Sequence, residues 1–119
     1  MIEIILVDDD LYICKMIGEL MRNTSNVKYR FYTTPEQFLA KYERTERKAY
    51  LFSDYNLGSS LSGLDVLSKS KGKFTGLFLT SSDNMVMNKP TKCKYSFVMK
   101  ENLYSFIEGF IWGLEDEKC

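Results

Sequence analysis

The sequence predicts an α/β fold in which a five-stranded parallel sheet carries helices on both faces. Three observations lead to this prediction. Short apolar runs rich in β-branched residues alternate along the chain with segments whose apolar residues recur at helical spacing. The alternation repeats five times, as in β-α units that place parallel strands side by side. Charged or hydroxyl residues follow several of the apolar runs, and open α/β sheets bind ligands at that end of their strands.

The first two β-α units have clear signals. Ile2–Val7 is short, β-branched and almost wholly apolar, which is typical of a strand buried on both faces. Leu11–Arg22 has an apolar helical face, and Asp10 stands where it can cap that helix. Val27–Tyr32 alternates apolar and basic residues, which predicts a half-exposed edge strand. The segment TPEQ at Thr34–Gln37 has the capping-box pattern, with proline at the first helical position.

The rest of the chain predicts three more strands and a long final helix. The strands cover Ala49–Ser53, Leu77–Leu79 and Tyr95–Met99. Leu64 and Leu67 mark a short helix between the first two of these strands. The final helix is predicted by an apolar stripe at i, i+3, i+4 spacing, which consists of Leu103, Phe106, Ile107, Phe110, Ile111 and Leu114. Asp83–Lys94 has little periodicity and contains Pro90, so the fourth helix of the pattern is expected to be short or irregular.

Length and composition favour one domain over residues 1–119. Of the 119 residues, 45% are hydrophobic and 27% are charged, an ordinary balance for a globular protein. Lys+Arg and Asp+Glu both number 16, so the zero net charge gives no sign of a nucleic-acid or membrane-surface partner. No apolar run reaches the ~18 residues of a membrane span, and the N-terminus lacks the layout of a signal peptide. We therefore expect a cytoplasmic protein.

The available side chains narrow the possible chemistry. The sequence has no histidine, which removes the commonest general base and the commonest transition-metal ligand. The three cysteines, Cys14, Cys93 and Cys119, form no C-x-x-C pair. They indicate neither a zinc site nor a disulfide framework, and we expect reduced thiols.

Polar residues follow four of the five predicted strands. Asp8 and Asp9 follow the first strand, Asp54 the third, Thr80 and Ser81 the fourth, and Lys100 the fifth. Taken alone, an aspartate after a strand could equally be a helix cap or a site residue. A lysine after a strand is more often a solvated surface charge. In a parallel sheet, however, all of these residues would converge on one edge. A ligand set made only of oxygen atoms favours Mg²⁺ or Mn²⁺, and the lysine and threonine could contact a phosphoryl group. A carboxylate there could also act as a nucleophile and become an acyl phosphate.

These residues resemble the receiver domain of two-component response regulators, and especially the stand-alone, CheY-like receivers of chemotaxis and sporulation. The resemblance rests on the Asp8-Asp9 pair, LFSDYNL at Leu51–Leu57, GLDVL at Gly63–Leu67, Thr80, and FVMK at Phe97–Lys100. These motifs follow the family's order over nearly the whole chain. The resemblance implies the doubly wound, flavodoxin-like strand order 2-1-3-4-5. Gly58 and Glu101 depart from the family pattern, since proline is usual at both positions.

The resemblance also implies a role for each matching residue. Asp54 would be the phosphoacceptor. The metal, Mg²⁺ or alternatively Mn²⁺, would be held by Asp8, Asp9, Asp54 and the backbone carbonyl of Asn56. Asp9 would bind it directly, and Asp8 mainly through water. Thr80 and Lys100 would contact the phosphoryl group, and Phe97 would act with Thr80 as a conformational switch. Asp10 would have no role beyond capping.

The implied function is signalling by phosphotransfer rather than enzymatic turnover. The phosphoryl donor would be a histidine kinase or a histidine phosphotransfer protein. With no output domain, the signal would pass through contact with a downstream protein or through onward phosphotransfer. The protein would be a monomer or a weak homodimer, with no nucleic-acid or membrane partner.

Two alternatives remain open from the sequence. The irregular Asp83–Lys94 segment is compatible with a pseudo-receiver, which keeps the fold and binds partners without phosphorylation. Asp8-Asp9-Asp10 also matches the D-x-D of haloacid-dehalogenase-type phosphatases, in which Asp8 would be the nucleophile and Asp10 the general acid/base. Which aspartate becomes phosphorylated, Asp54 or Asp8, discriminates between receiver and phosphatase.

Overall fold

Five strands and four helices make up the described part of the chain. The computed structural model describes the backbone of residues 2–83 and 94–116, and the side chains of 2–83 and 94–113. The strands are β1 (Ile2–Val7), β2 (Val27–Tyr32), β3 (Lys48–Asp54), β4 (Gly76–Ser81) and β5 (Ser96–Met99). The helices are α1 (Leu11–Arg22), α2 (Pro35–Lys41), α3 (Gly63–Lys69) and α4 (Leu103–Asp116). Among these described helices, none is long and apolar enough to cross a membrane.

All five strands form one parallel sheet in the order β2-β1-β3-β4-β5. This confirms the predicted fold class and strand order. All six residues of β1 are buried, whereas β2 at the edge is mostly half-buried, as its alternating pattern predicts. The strand order reverses between β1 and β3, so the carboxyl ends of these two strands flank the place where open α/β sheets bind ligands.

The helices cover both faces of the sheet, and each face has its own apolar core. On one face, α1 and α4 pack on β1 through Cys14, Ile17, Met21, Leu103, Ile107 and Ile111, which contact Ile2, Ile4 and Leu6. On the other face, α2 and α3 pack through Phe38, Val66 and Leu67 against Ile5 and Val7. The alternation along β1 follows from the two-residue side-chain period of a strand. Because both faces of β1 are covered, the residues that follow it are held in a fixed position at the edge of the sheet.

Helix caps begin three of the helices at the positions that the local chemistry favours. Asp10 caps α1, and its Oδ1 accepts a hydrogen bond from the Tyr12 N–H at 3.0 Å, which confirms the predicted cap. Thr34 Oγ1 caps α2 by accepting from the Gln37 N–H at 3.1 Å. At α3, Ser62 and Asp65 form a reciprocal capping box. These caps fix where the chain turns from β1 into α1, from β2 into α2, and from the loop after β3 into α3.

Element boundaries differ from the predicted ones by a residue or two. The strand β3 begins at Lys48 and includes Asp54, while β5 begins one residue later than expected. Lys100 opens a short 3-10 turn, Lys100–Asn102, that leads into α4. The predicted short or irregular fourth helix falls on Asp83–Lys94, of which residues 84–93 lie outside the described part of the chain.

Gly63 allows α3 to begin directly beside the end of β3. A Cβ at this position would overlap the backbone carbonyl of Asp54 and the Cα of Tyr55. The Gly63 N–H donates to the Tyr55 carbonyl at 2.8 Å, which closes the loop after β3. The close approach therefore ties the start of α3 to the backbone of Asp54.

Candidate functional site

The carboxyl ends of β1 and β3 bring three carboxylates together. Val7 and Ser53 are paired in the sheet, so the aspartates that follow or end these strands are neighbours. One carboxylate oxygen from each of Asp8, Asp9 and Asp54 lies within 4.8 Å of the other two. Asp8 is fully buried and Asp54 is 5% exposed, whereas Asp9 is exposed. The predicted convergence of these three residues on one edge is therefore present.

Asp8 is only partly compensated for its burial. Its Oδ1 accepts a hydrogen bond from the Asp10 N–H at 2.9 Å and lies 3.3 Å from the ammonium of Lys100. Its Oδ2 is buried and has no hydrogen-bond partner among the described residues. Burial raises the pKa of Asp8 from 3.8 to about 6, because desolvation outweighs the hydrogen bond from Asp10 and the charge of Lys100. A buried carboxylate oxygen left without a partner indicates that the site is built for a further ligand.

Lys100 is the cation that joins two of the carboxylates. Its Nζ lies 3.0 Å from Asp54 Oδ2 and 3.3 Å from Asp8 Oδ1. Burial alone would lower the pKa of Lys100, but the hydrogen bond to Asp54 and the two negative charges outweigh it, so this pKa is raised. The pKa of Asp54 is also raised, because desolvation and the charge of Asp9 exceed the effect of Lys100. The lysine is thus firmly charged and only partly offsets the carboxylates.

The charge balance and donor set fit a divalent metal ion. Three ionised carboxylates and one ammonium leave two negative charges, which is the charge that one divalent cation neutralises. Every side-chain donor in the cluster is a carboxylate oxygen, and such hard ligands suit Mg²⁺ or Mn²⁺. The unpartnered Oδ2 of Asp8 supplies the further observation that favours a cation. Asp8, Asp9 and Asp54 could therefore hold Mg²⁺.

A cavity of about 400 Å³ opens beside the cluster and gives access to Asp54. Among the predicted site residues, Asp9, Asp54, Asn56 and Lys100 line it. Asn56 is exposed at the start of the loop after β3, where its side-chain oxygen accepts from the Gly58 N–H at 3.3 Å. The cavity is large enough to admit a phosphoryl group together with the end of a donor side chain.

Thr80 and Phe97 lie next to the site but do not line the cavity. Thr80 pairs with Asp54 across β3 and β4, and its carbonyl accepts from the Tyr55 N–H at 2.8 Å. The side chain is fully buried, and Oγ1 has no hydrogen-bond partner among the described residues. Phe97 is half-buried, pairs with Leu79 across β4 and β5, and packs on the apolar core shared with α2 and α3.

The structure adds cavity-lining residues to which the sequence assigned no role in the site. Tyr55, Ser81, Ser82 and Asp83 also line the cavity. Ser81 had been noted only as a strand-end hydroxyl. Tyr55 directly follows the predicted site residue Asp54, and Ser82 follows the end of β4. Their adjacency in sequence to the site is the one feature that could have indicated them. Nothing in the type of Tyr55 or Ser82 marks either residue as a ligand.

Comparisons with known proteins give a fold but no close relative. No family model matches the sequence, and no curated protein matches it. The receiver domain of Francisella response regulator 1452 superimposes with a TM-score of 0.70 at 13% identity, covering 98% of each chain. An uncharacterized protein from Neptuniibacter caesariensis gives 0.64 at 18% identity, covering 92% of this chain and 87% of its own. A structure described as a yeast Spc42 trimeric coiled-coil fusion gives 0.65 at 17% identity, covering 97% and 80%.

The fold is therefore the CheY-like fold of receiver domains. At such low identities, similarity to solved structures establishes the fold and not the activity. The acidic cluster of Asp8, Asp9 and Asp54 is the feature of the site that agrees with a receiver.

Proposed function

We propose that this chain is a response-regulator receiver that accepts a phosphoryl group on Asp54 with the help of Mg²⁺. The observation that carries the proposal is the meeting of Asp8, Asp9, Asp54 and Lys100 at the carboxyl edge of a sheet with the receiver strand order. The donor is a histidine kinase or a histidine phosphotransfer protein. The phosphorylated protein acts through contact with a downstream protein or through onward phosphotransfer, as a monomer or a weak homodimer.

The chemistry follows from the positions of the side chains. A carboxylate oxygen of Asp54 attacks the phosphorus of a phosphohistidine, and the P–N bond breaks with its electron pair returning to the imidazole. The Lys100 ammonium, 3.0 Å from Asp54 Oδ2, is placed to pair with a phosphoryl oxygen after transfer. Bound Mg²⁺, held by Asp8, Asp9 and the Asn56 carbonyl as well as Asp54, would neutralise charge on the transferring group.

Thr80 and Phe97 are assigned the switch in this proposal. The buried hydroxyl of Thr80 is adjacent to Asp54 across the strand pair and has no described partner, so a phosphoryl oxygen could supply one. Half-buried Phe97 could then move inward beside it. Phosphorylation would in this way shift an equilibrium between two conformations.

The D-x-D phosphatase alternative is not favoured by the geometry. Its nucleophile would be Asp8, which is fully buried, whereas Asp54 lines the cavity. Its general acid/base would be Asp10, whose carboxylate caps α1. The pseudo-receiver alternative is distinguished from our proposal by experiment.

Intact-protein mass after incubation with a small acyl phosphate or phosphoramidate, with and without Mg²⁺, tests the proposal. We expect the wild type to gain one phosphoryl group only with Mg²⁺, and Asp54→Asn to gain none. Asp10→Asn is the matched control, since it removes a nearby carboxylate that lies outside the cluster and keeps the helix cap. No gain in any condition would favour the pseudo-receiver, and a gain that survives Asp54→Asn would point to Asp8.

A further inference from the structure

A hydrogen bond ties the loop after β3 to the first turn of α2. Ser59 Oγ lies 3.0 Å from Glu36 Oε1 and 2.9 Å from Oε2, so its proton is shared by both carboxylate oxygens. The two residues are 23 positions apart and both are exposed. The same Ser59 oxygen accepts from the Leu61 N–H at 3.3 Å. Among the described residues, Ser59–Glu36 is the side-chain bond that anchors this loop to α2, and neither capping nor core packing requires it.

The anchored loop lies against the acidic cluster. Asn56 and Gly58 form a local turn, in which the Asn56 side chain accepts from the Gly58 N–H at 3.3 Å. Gly58 has a φ of +62°, a left-handed conformation that glycine adopts without strain. A Cβ at Gly58 would lie only 3.3 Å from Oδ2 of Asp9. The position of this loop therefore sets how closely the backbone approaches the Asp9 carboxylate.

Between buried Leu57 and the start of α3, the loop has little of its own to hold it in place. Gly58, Ser59 and Ser60 are consecutive, small and exposed, so this stretch has much conformational entropy and no apolar contact of its own to offset it. The next structural anchor along the chain is the capping box of Ser62 and Asp65 at the start of α3. A hydrogen bond from Ser59 to an ionised carboxylate is stronger than one between neutral groups, so it can hold the middle of this loop.

We infer that Ser59 and Glu36 are positioning residues that hold the loop against Asp9 and thereby set the affinity of the cluster for a divalent cation. The inference rests on the proposed function, because it assumes that Asp8, Asp9 and Asp54 bind Mg²⁺. Neither residue touches the cation. Their contact reduces the number of loop conformations and keeps Asn56 and Asp9 in the arrangement that the cation needs.

Amide NMR titration with Mg²⁺ tests the inference, since it measures weak affinities and reports each loop residue separately. Ser59→Ala and Glu36→Ala are each expected to weaken Mg²⁺ binding roughly two- to tenfold, the range that follows from one hydrogen bond. The double variant should lose no more than Ser59→Ala alone, because Glu36→Ala removes only a contact that Ser59→Ala already removes. Ser60→Ala is the matched control. It deletes the adjacent exposed hydroxyl, which makes no side-chain hydrogen bond within the described residues.

Two further measurements separate positioning from a general effect of charge or stability. Glu36→Gln keeps an oxygen that accepts from Ser59 but makes a weaker, neutral hydrogen bond, so it should weaken Mg²⁺ binding less than Glu36→Ala does, whereas a pure charge effect would make the two variants alike. In the metal-free protein, amide hydrogen exchange over residues 58–61 should quicken in Ser59→Ala and stay unchanged in Ser60→Ala, with equal urea midpoints for both.

The possible failures are distinguishable. If the wild type shows no shifts at millimolar Mg²⁺, the metal site of the proposed function is wrong and the inference falls with it. If the wild type binds Mg²⁺ and Ser59→Ala binds equally well, the receiver proposal stands and only the positioning role is overturned. Additive losses in the double variant would also overturn the role, because the two side chains would then act separately.

Discussion

Replacing Asp8 with asparagine is expected to stabilise the metal-free protein and to weaken its response to Mg²⁺. The Asp8 carboxylate is fully buried, and its Oδ2 has no hydrogen-bond partner among the described residues. Asparagine has nearly the same shape and keeps an oxygen that can accept from the Asp10 N–H. The substitution therefore removes a buried charge and leaves the local backbone contacts in place.

The size of the effect follows from the pKa of Asp8. Burial raises this pKa from 3.8 to about 6. Because the folded value is the higher one, the folded protein binds the proton more tightly, and stability falls as pH rises between those two values. Above the upper value, the ionised carboxylate lowers the free energy of unfolding by about 3 kcal/mol, since each pKa unit corresponds to roughly 1.4 kcal/mol. This net shift already includes the Lys100–Asp8 ion pair, and asparagine only approximates the neutral acid, so we expect Asp8→Asn to stabilise by about 1–3 kcal/mol.

Urea unfolding in EDTA, at about pH 7.5 and at about pH 4, measures this difference. The gain should be present at the higher pH and largely absent at the lower one, where folded Asp8 is already neutral. Asp10→Asn is the control, because it removes an exposed charge two residues away and keeps the α1 cap. In millimolar Mg²⁺ the wild type should gain stability by mass action, and Asp8→Asn should gain less.

Three results would refute the reasoning. Asp8→Asn could be no more stable than the wild type in EDTA near neutral pH, which would mean that the buried charge is already compensated. The gain could persist undiminished in acid, where the two side chains no longer differ in charge. An equal gain in Asp10→Asn would assign the effect to net charge rather than to burial.

Further expectations concern other buried contacts, and urea unfolding measures each. Lys100→Met should destabilise the metal-free protein at neutral pH by about 1–3 kcal/mol, because it leaves Asp8 and Asp54 without a cation; a loss no smaller in Mg²⁺ than in EDTA would contradict this. Gly63→Ala should cost about 1–3 kcal/mol through overlap with the β3 backbone. Its control, Gly109→Ala, lies in an open stretch of α4 and should gain about 0.5–1 kcal/mol; equal effects of the two would exclude the overlap.

Patterns within single elements were enough to predict the fold class, whereas the strand order was implied by the resemblance to receiver domains. The apolar run of Ile2–Val7 and the apolar face of Leu11–Arg22 gave β1 and α1 with their observed bounds. Strand-end aspartates then predicted the cluster, because parallel strands end at a common edge. For Lys100, the sequence predicted only that it would lie at the same edge of the sheet as the aspartates. Its two distances depend on the 3-10 turn that follows β5, which no pattern in the sequence marks.

Contacts between distant and ordinary residues were not predictable. Ser59 and Glu36 are polar residues of common types, and their hydrogen bond exists only because α2 and the loop after β3 meet in space. The placement of Tyr55 and Ser82 at the cavity depends in the same way on the loops that follow β3 and β4. Residue type and spacing do not indicate which residues from distant parts of the chain will contact each other.

Two buried carboxylates near the ends of β1 differ in how they are compensated. Glu3 and Asp8 lie near opposite ends of β1 and are both fully buried. Arg30 Nε forms an ion pair with Glu3 Oε1 at 3.3 Å, although Oε1 accepts no hydrogen bond among the described residues, and the Thr45 N–H donates to Oε2 at 3.3 Å. At Asp8 the only described cation is shared with Asp54, and one oxygen has no partner.

Neutralising the two carboxylates should therefore have opposite effects on stability. Glu3→Gln leaves Arg30, whose side chain is 27% exposed, without its counter-charge, and should cost about 1–2 kcal/mol after allowance for solvent screening. Asp8→Asn should instead stabilise the metal-free protein, and only at Asp8 should Mg²⁺ narrow the difference from the wild type. If both substitutions destabilised by similar amounts regardless of Mg²⁺, the carboxylates would be equivalent parts of the core, and the cluster at the carboxyl edge would lose its main physical argument as a metal site.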